Sequence, residues 1–140
     1  MNSKRRALVS TTSSRSAVDV TDLISELLEG QSGPVHVSVP HTTCALILSE
    51  VDDELLSDYE RLSSELLAPF EPFSHIRNDV PNASAHILSA MFGTAIVVFA
   101  ESGVIDLGRY QRIVLLELDG PKDRTITILP LTAQESSGAH

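Results

Sequence analysis

Apolar residues recur along this chain at two distinct periods. Around Ala7, Leu8 and Val9 the sequence is β-rich, and the Ser/Thr run that follows through Ser16 reads as a polar loop, so a first strand is expected within residues 4–12. From Asp19 the spacing turns helical. Val20, Leu23, Ile24, Leu27 and Leu28 recur three and four apart, Asp19 and Asp22 suit a first turn, and Gly30 closes the run. Residues 31–34 read as a turn. Val35, Val37 and Val39 then alternate with His36 and Ser38, as in a half-buried strand with His36 outward. Pro40 has no N–H to donate and interrupts the ladder, so the next strand is expected at residues 44–49.

The longest helix is expected over residues 52–67, with Leu55, Tyr59, Leu62 and Leu66 on one stripe and Pro69 as its stop. Its opening acids, Asp52, Asp53 and Glu54, fit the positive end of a helix dipole better than a metal site. A shorter helix is expected over residues 85–92, with Asn82 as N-cap and Gly93 as its end. Strands follow at residues 95–100, 112–119 and 125–131, separated by turns at Glu101-Ser102-Gly103 and Asp119-Gly120-Pro121. In the second of these, Ile113 and Leu115 share one face and Val114, Leu116 and Leu118 the other, so it is expected at the centre of a sheet. The order β–α–β–β–α–α–β–β–β, with hairpin-length links late in the chain, predicts an α+β domain with a largely antiparallel sheet or sandwich and about three helices. One domain is expected over residues 1–131, with a disordered tail at 132–140.

Composition narrows the function classes. Of 140 residues 42% are hydrophobic, enough for one unstapled core. Nineteen acidic against ten basic residues leave a net charge of −9, which opposes nucleic acid and anionic membranes as partners. No apolar run reaches membrane-spanning length, and the basic start lacks a signal-peptide core. The lone Cys44 excludes an internal disulfide and a CxxC zinc cluster, so a reducing, cytoplasmic setting is expected. The chain contains no GxGxxG, GxxxxGK, HExxH or GxSxG.

Three stretches carry candidate chemistry. Residues 73–86, FSHIRNDVPNASAH, place His75 in a turn-rich loop and His86 in the first turn of a helix, whose N–H groups favour an anion; a solvated loop with His86 packed on the helix is the alternative. His41, Thr42 and Thr43 form a second polar cluster at strand ends, with Glu50 beyond the next strand, although threonines also fill ordinary β positions. Glu117 falls on an apolar strand face, where it must find partners or have its pKa raised by desolvation; a site carboxylate and an ion pair with Arg124 or Arg112 both fit.

Four motifs in this order, PHTTCALILSE (40–50), SHIRNDVPNASAH (74–86), the stretch from Phe92 to Gln111 with ESGVIDLGRYQ, and ELDGPKDRTI (117–126), resemble the YjbQ-like family, also called secondary thiamine-phosphate synthase proteins. The resemblance spans residues 6 to 131 and implies a metal-dependent enzyme, a transferase that joins a thiazole phosphate to a pyrimidinylmethyl diphosphate with release of pyrophosphate. It also implies a homotrimer. Carried over residue by residue, it makes His41, His75 and His86 ligands of a divalent metal, zinc by its donor set. Glu50, Gln111, Glu117 and Arg124 become catalytic candidates, and Thr42, Thr43, Asn82 and Lys122 substrate-binding ones. Glu50 or Asp79 would add an oxygen ligand or orient one, and Arg124, Lys122 or Arg109 would stabilise the departing diphosphate. The chain departs from the family pattern at Arg109 and Tyr110, where Thr-Trp is usual, at Lys122 for Arg, at Ser49 for Asn and at Ser84 for a further His. Two other readings stay open: a non-catalytic trimer binding a metal or small ligand, and a metal-dependent hydrolase with Glu50 as base.

Overall fold

The structure, a computed structural model, describes residues 3–77 and 79–131; the tail expected at 132–140 lies outside the described residues. Among the described residues, two antiparallel sheets and three α-helices form an α+β fold. The larger sheet has the order β1 (Arg5–Ser10), β8 (Asp123–Pro130), β3 (Gly33–Ser38), β5 (Ala95–Glu101), β6 (Val104–Asp106). The smaller sets β7 (Arg112–Glu117) between β2 (Ser16–Asp19) and β4 (Cys44–Ser49). Helix α1 (Thr21–Glu26) connects the sheets, while α2 (Asp53–Glu65) and α3 (Ala83–Phe92) belong to the layer over the small sheet.

The two-faced pattern of β7 explains the layering. Ile113 and Leu115 point into a core shared with Val35, Val37, Leu46, Val98, Ile126 and Ile128 of the neighbouring strands and with Ile24 and Leu28 of the α1 region. Val114, Leu116 and Leu118 point the other way, to Ala45, Ala85 and Leu88 under α3. Alternation does the same for β3, whose Val35 and Val37 are buried while His36 is only half-buried on the outer face.

Four local readings change. The Ser/Thr run does not lead directly into the helix; a short strand, β2, begins at its last residue, Ser16. Ala17 and Val18 pair with Leu116 and Leu115, because the edge of β7 opposite β4 needs a partner for its backbone groups. Helix α1 begins at Thr21 rather than Asp19, since Asp19 remains in β2 and bonds Arg112, and Thr21 Oγ1 accepts the Ile113 N–H at 2.7 Å. The Glu101–Gly103 turn continues into the short edge strand β6. The stripe of α2 is not buried as a unit: Leu62 and Leu66 are 46% and 38% exposed, and the helix packs inward through Tyr59. Its start is as expected, with the Asp52 carboxylate accepting the Leu55 N–H at 2.7 Å.

Candidate functional site

The β7–β8 turn and the start of α3 meet over one cavity of about 490 Å³, walled by His75, Arg77, Val80, Asn82, His86, Asp119 and Lys122. The loop before α3 carries His75 back over the helix, so that its ring meets His86 edge to face with centroids 4.9 Å apart. Asn82 stands at the N-cap of α3, yet its side chain does not cap the helix; Nδ2 donates to Asp119 Oδ2 at 3.0 Å. Lys122 Nζ donates to the same oxygen at 2.7 Å. Burial opposes charge on Asp119, but the bonds from Lys122 and Asn82 outweigh it and hold the carboxyl below its usual value.

A buried network lies behind that wall. Glu117 has no exposed surface and is bonded by Arg124 Nε at 2.9 Å, by Arg124 Nη2, by Thr11 Oγ1 at 2.6 Å and by the N–H groups of Leu118 and Asp119. Desolvation acts to raise its pKa, as expected from sequence, but the bonds from Arg124, Thr11 and Asp119 prevail and the net shift is downward. Of the two arginines weighed as its partner, Arg124 takes the role, and Arg112 pairs with Asp19 and Asp22. Arg124 Nη2 also donates to the carbonyl and hydroxyl of Thr43, both at 3.0 Å. Thr43, Glu117 and Arg124 are therefore sealed from the cavity and act as its support.

His41 follows Pro40 and stands beside β8, where its Nε2 accepts the Thr125 N–H at 2.9 Å. Burial, then the charge of Arg124, keep its pKa below the ordinary histidine value. With Thr42, His86, Ser89, Ala90 and Thr94 it walls a second cavity of about 410 Å³. His86 thus borders both spaces. Cys44, next along, is fully buried; burial pushes its thiol up to about 11, and it faces neither cavity.

Glu50 and Gln111 are elsewhere. Ser49 pairs with Arg112 at one end of the β4–β7 ladder and Cys44 with Glu117 at the other, so Glu50 and Gln111 flank the end remote from His41. The six residues between span about 20 Å. Gln111 Oε1 accepts the Gly108 N–H at 2.9 Å and closes its own turn, with Arg109 over the Tyr110 ring at 5.5 Å. Within one chain these groups cannot reach the histidines. Asp79 is exposed and is not part of the cavity wall.

The donor set does not fit the expected metal. Among the described residues no three His, Cys, Asp or Glu side chains are grouped to hold an ion. His75 and His86 come together, whereas the Nε2 lone pair of His41 is already committed to Thr125. Asp119 and Arg77 are wall residues that the sequence does not single out, although both lie inside the motifs named above. Nor does the sequence single out Arg15, which bonds the Ser63 carbonyl at 2.7 Å and Ser84 Oγ at 2.8 Å and ties α2 to α3. No pattern in the Ser/Thr run marks that role.

The model of the UPF0047 protein YjbQ-like family matches residues 5–132, nearly all of the described chain. The chain belongs to this family. A UPF0047 protein of Archaeoglobus fulgidus is 38% identical over 114 residues, covering 81% of this chain and 90% of the relative. The UPF0047 protein YugU of Bacillus subtilis is 30% identical over 126 residues, covering 86% and 92%. Among solved structures, a hypothetical protein from Aeropyrum pernix K1 superposes with a TM-score of 0.85 at 33% identity, covering 94% of this chain and 99% of that one. A conserved hypothetical protein from Thermus thermophilus gives 0.81 at 34% identity, covering 91% and 99%. The YjbQ-like fold is thus shared over nearly all of the described domain.

Proposed function

We propose that the His75–His86 cavity binds a small phosphorylated molecule, and that the chain acts there as a transferase of the thiamine-phosphate synthase type. One observation carries this reading: two imidazoles packed at 4.9 Å share a cavity with Arg77 and with Lys122, the latter paired with Asp119, so cationic side chains and imidazole donors converge in an otherwise acidic protein. In such a transfer the thiazole nitrogen attacks the methylene carbon, the carbon–oxygen bond to diphosphate breaks, and pyrophosphate leaves with the electron pair. Lys122 and Arg77 are the cations placed to neutralise that charge, with His75 and His86 as hydrogen-bond donors. Positioning, rather than a nucleophilic side chain, is the protein's contribution. Arg124 and Glu117 hold the wall from behind. No step passes through a metal, since the histidines do not fit one.

Glu50, remote from the histidines within the chain, argues against the hydrolase reading in which it serves as base. The reading keeps a cytoplasmic setting, supported by the single, buried cysteine, and none of the described helices is long and apolar enough to cross a membrane. It also keeps assembly as a homotrimer, supported by apolar side chains left exposed on the larger sheet. The test is pyrophosphate release on mixing both precursors. Release should fall at least about tenfold in His86→Ala and Lys122→Ala; equal release by wild type and variants, or none, refutes the transferase.

A further inference from the structure

We infer that His41 is a fixed hydrogen-bond donor, presenting Nδ1–H to a ligand in the second cavity, and that it is not a metal ligand. A neutral imidazole carries one proton. Because Nε2 accepts the Thr125 N–H at 2.9 Å, that proton belongs on Nδ1. A metal needs a ring lone pair: taking it at Nε2 would break the bond to β8, and taking it at Nδ1 would require the proton to leave for a nitrogen already facing an N–H. Protonating the ring instead would set two donors against each other, and the nearby charge of Arg124 opposes it as well.

This assignment gives the second cavity a chemistry unlike the first. The first holds Arg77 and Lys122, opposed by Asp119. The second, walled by His41, Thr42, Ser89, Ala90 and Thr94, contains no Lys, Arg, Asp or Glu. His86 is the waist between them. The class of ligand that matches both is an elongated molecule with a phosphate at one end and an uncharged, hydrogen-bond-accepting head at the other, such as a heteroaromatic ring or an amide. Placing the phosphate end rests on the reading of the preceding subsection. The protonation state of His41 does not.

Long-range nitrogen–proton NMR on the labelled full chain decides the proton. The expected spectrum shows Nδ1 protonated and Nε2 bare for His41, unmoved by a twofold excess of Zn²⁺. An Nε2–H form, or a zinc-induced shift of either His41 nitrogen, overturns the proposal. Calorimetry with two probes, the thiazole phosphate and inorganic phosphate, tests the ligand role. His41→Gln keeps an acceptor for Thr125 but moves the donor from the fixed ring Nδ1 to a terminal, freely rotating amide; it should weaken the thiazole phosphate about tenfold and leave inorganic phosphate unchanged. Equal weakening of both probes, or of neither, overturns the donor role. If neither probe binds the wild type, the phosphate reading falls, and NMR still decides the proton.

Discussion

Glu117 shows how much a single position can disclose. Its place on the Ile113–Leu115 face marks it as a buried carboxylate, but the choice between site and support turns on its full set of partners, Arg124 seven residues on and Thr11 across the fold. Removing the charge leaves Arg124 buried without its counter-ion, so Glu117→Gln should cost about 3 kcal/mol in urea unfolding. The pH dependence follows from the directions of the shifts. Glu117 and Asp119 titrate in the folded chain below their ordinary 4.5 and 3.8, so their stabilisation is complete above those values and drains as pH falls through the lower folded ones. His41, held below 6.5, adds an earlier loss, because below that pH the unfolded chain takes up a proton that the folded one refuses. The urea midpoint should therefore be level above about pH 7, decline below about 6.5 and fall again in acid. His41→Gln should remove the first decline and Glu117→Gln should shrink the second.

At the scale of elements, what could be read was whatever had a period or a cap. Asp52 fixes the start of α2, and the two-faced run of β7 announced its central place. Strand β2 could not be read, because its apolar content is two residues and its existence is dictated by the open edge of β7. The Asp119-Gly120-Pro121 turn was recognised as punctuation, yet its glycine serves packing: a Cβ there would lie 2.2 Å from the Ser13 carbonyl oxygen and 2.7 Å from Glu117 Cγ. Backbone cannot yield cheaply at that distance. Gly120→Ala should lose about 2–3 kcal/mol and displace Asp119 and Lys122, read as lower stability together with weakened phosphate binding. A similar loss of stability with phosphate binding intact would show that the turn and the cavity are independent.

At the scale of the whole molecule, the candidate site was only partly legible. Of the residues the motifs nominate, His75, His86, Asn82 and Lys122 line one cavity, but the antiparallel pairing of β4 with β7 sends Glu50 and Gln111 to the opposite end, a consequence of register that spacing along the chain does not display. Likewise no sequence pattern says which apolar faces remain open. Leu8, Val97, Phe99 and Val104 lie 54–67% exposed on three strands of the larger sheet. If they form the contact of the proposed trimer, the wild type should sediment at three times the 15.1 kDa chain mass and Phe99→Glu at the single-chain value. An unchanged mass for Phe99→Glu would place the contact elsewhere. Strand β7, finally, is the common wall of two cores, with alternate side chains committed to each. Neither compartment can loosen alone without stripping the other of its boundary, so the helical layer that carries His86 inherits the rigidity of the packing on the far side of that strand.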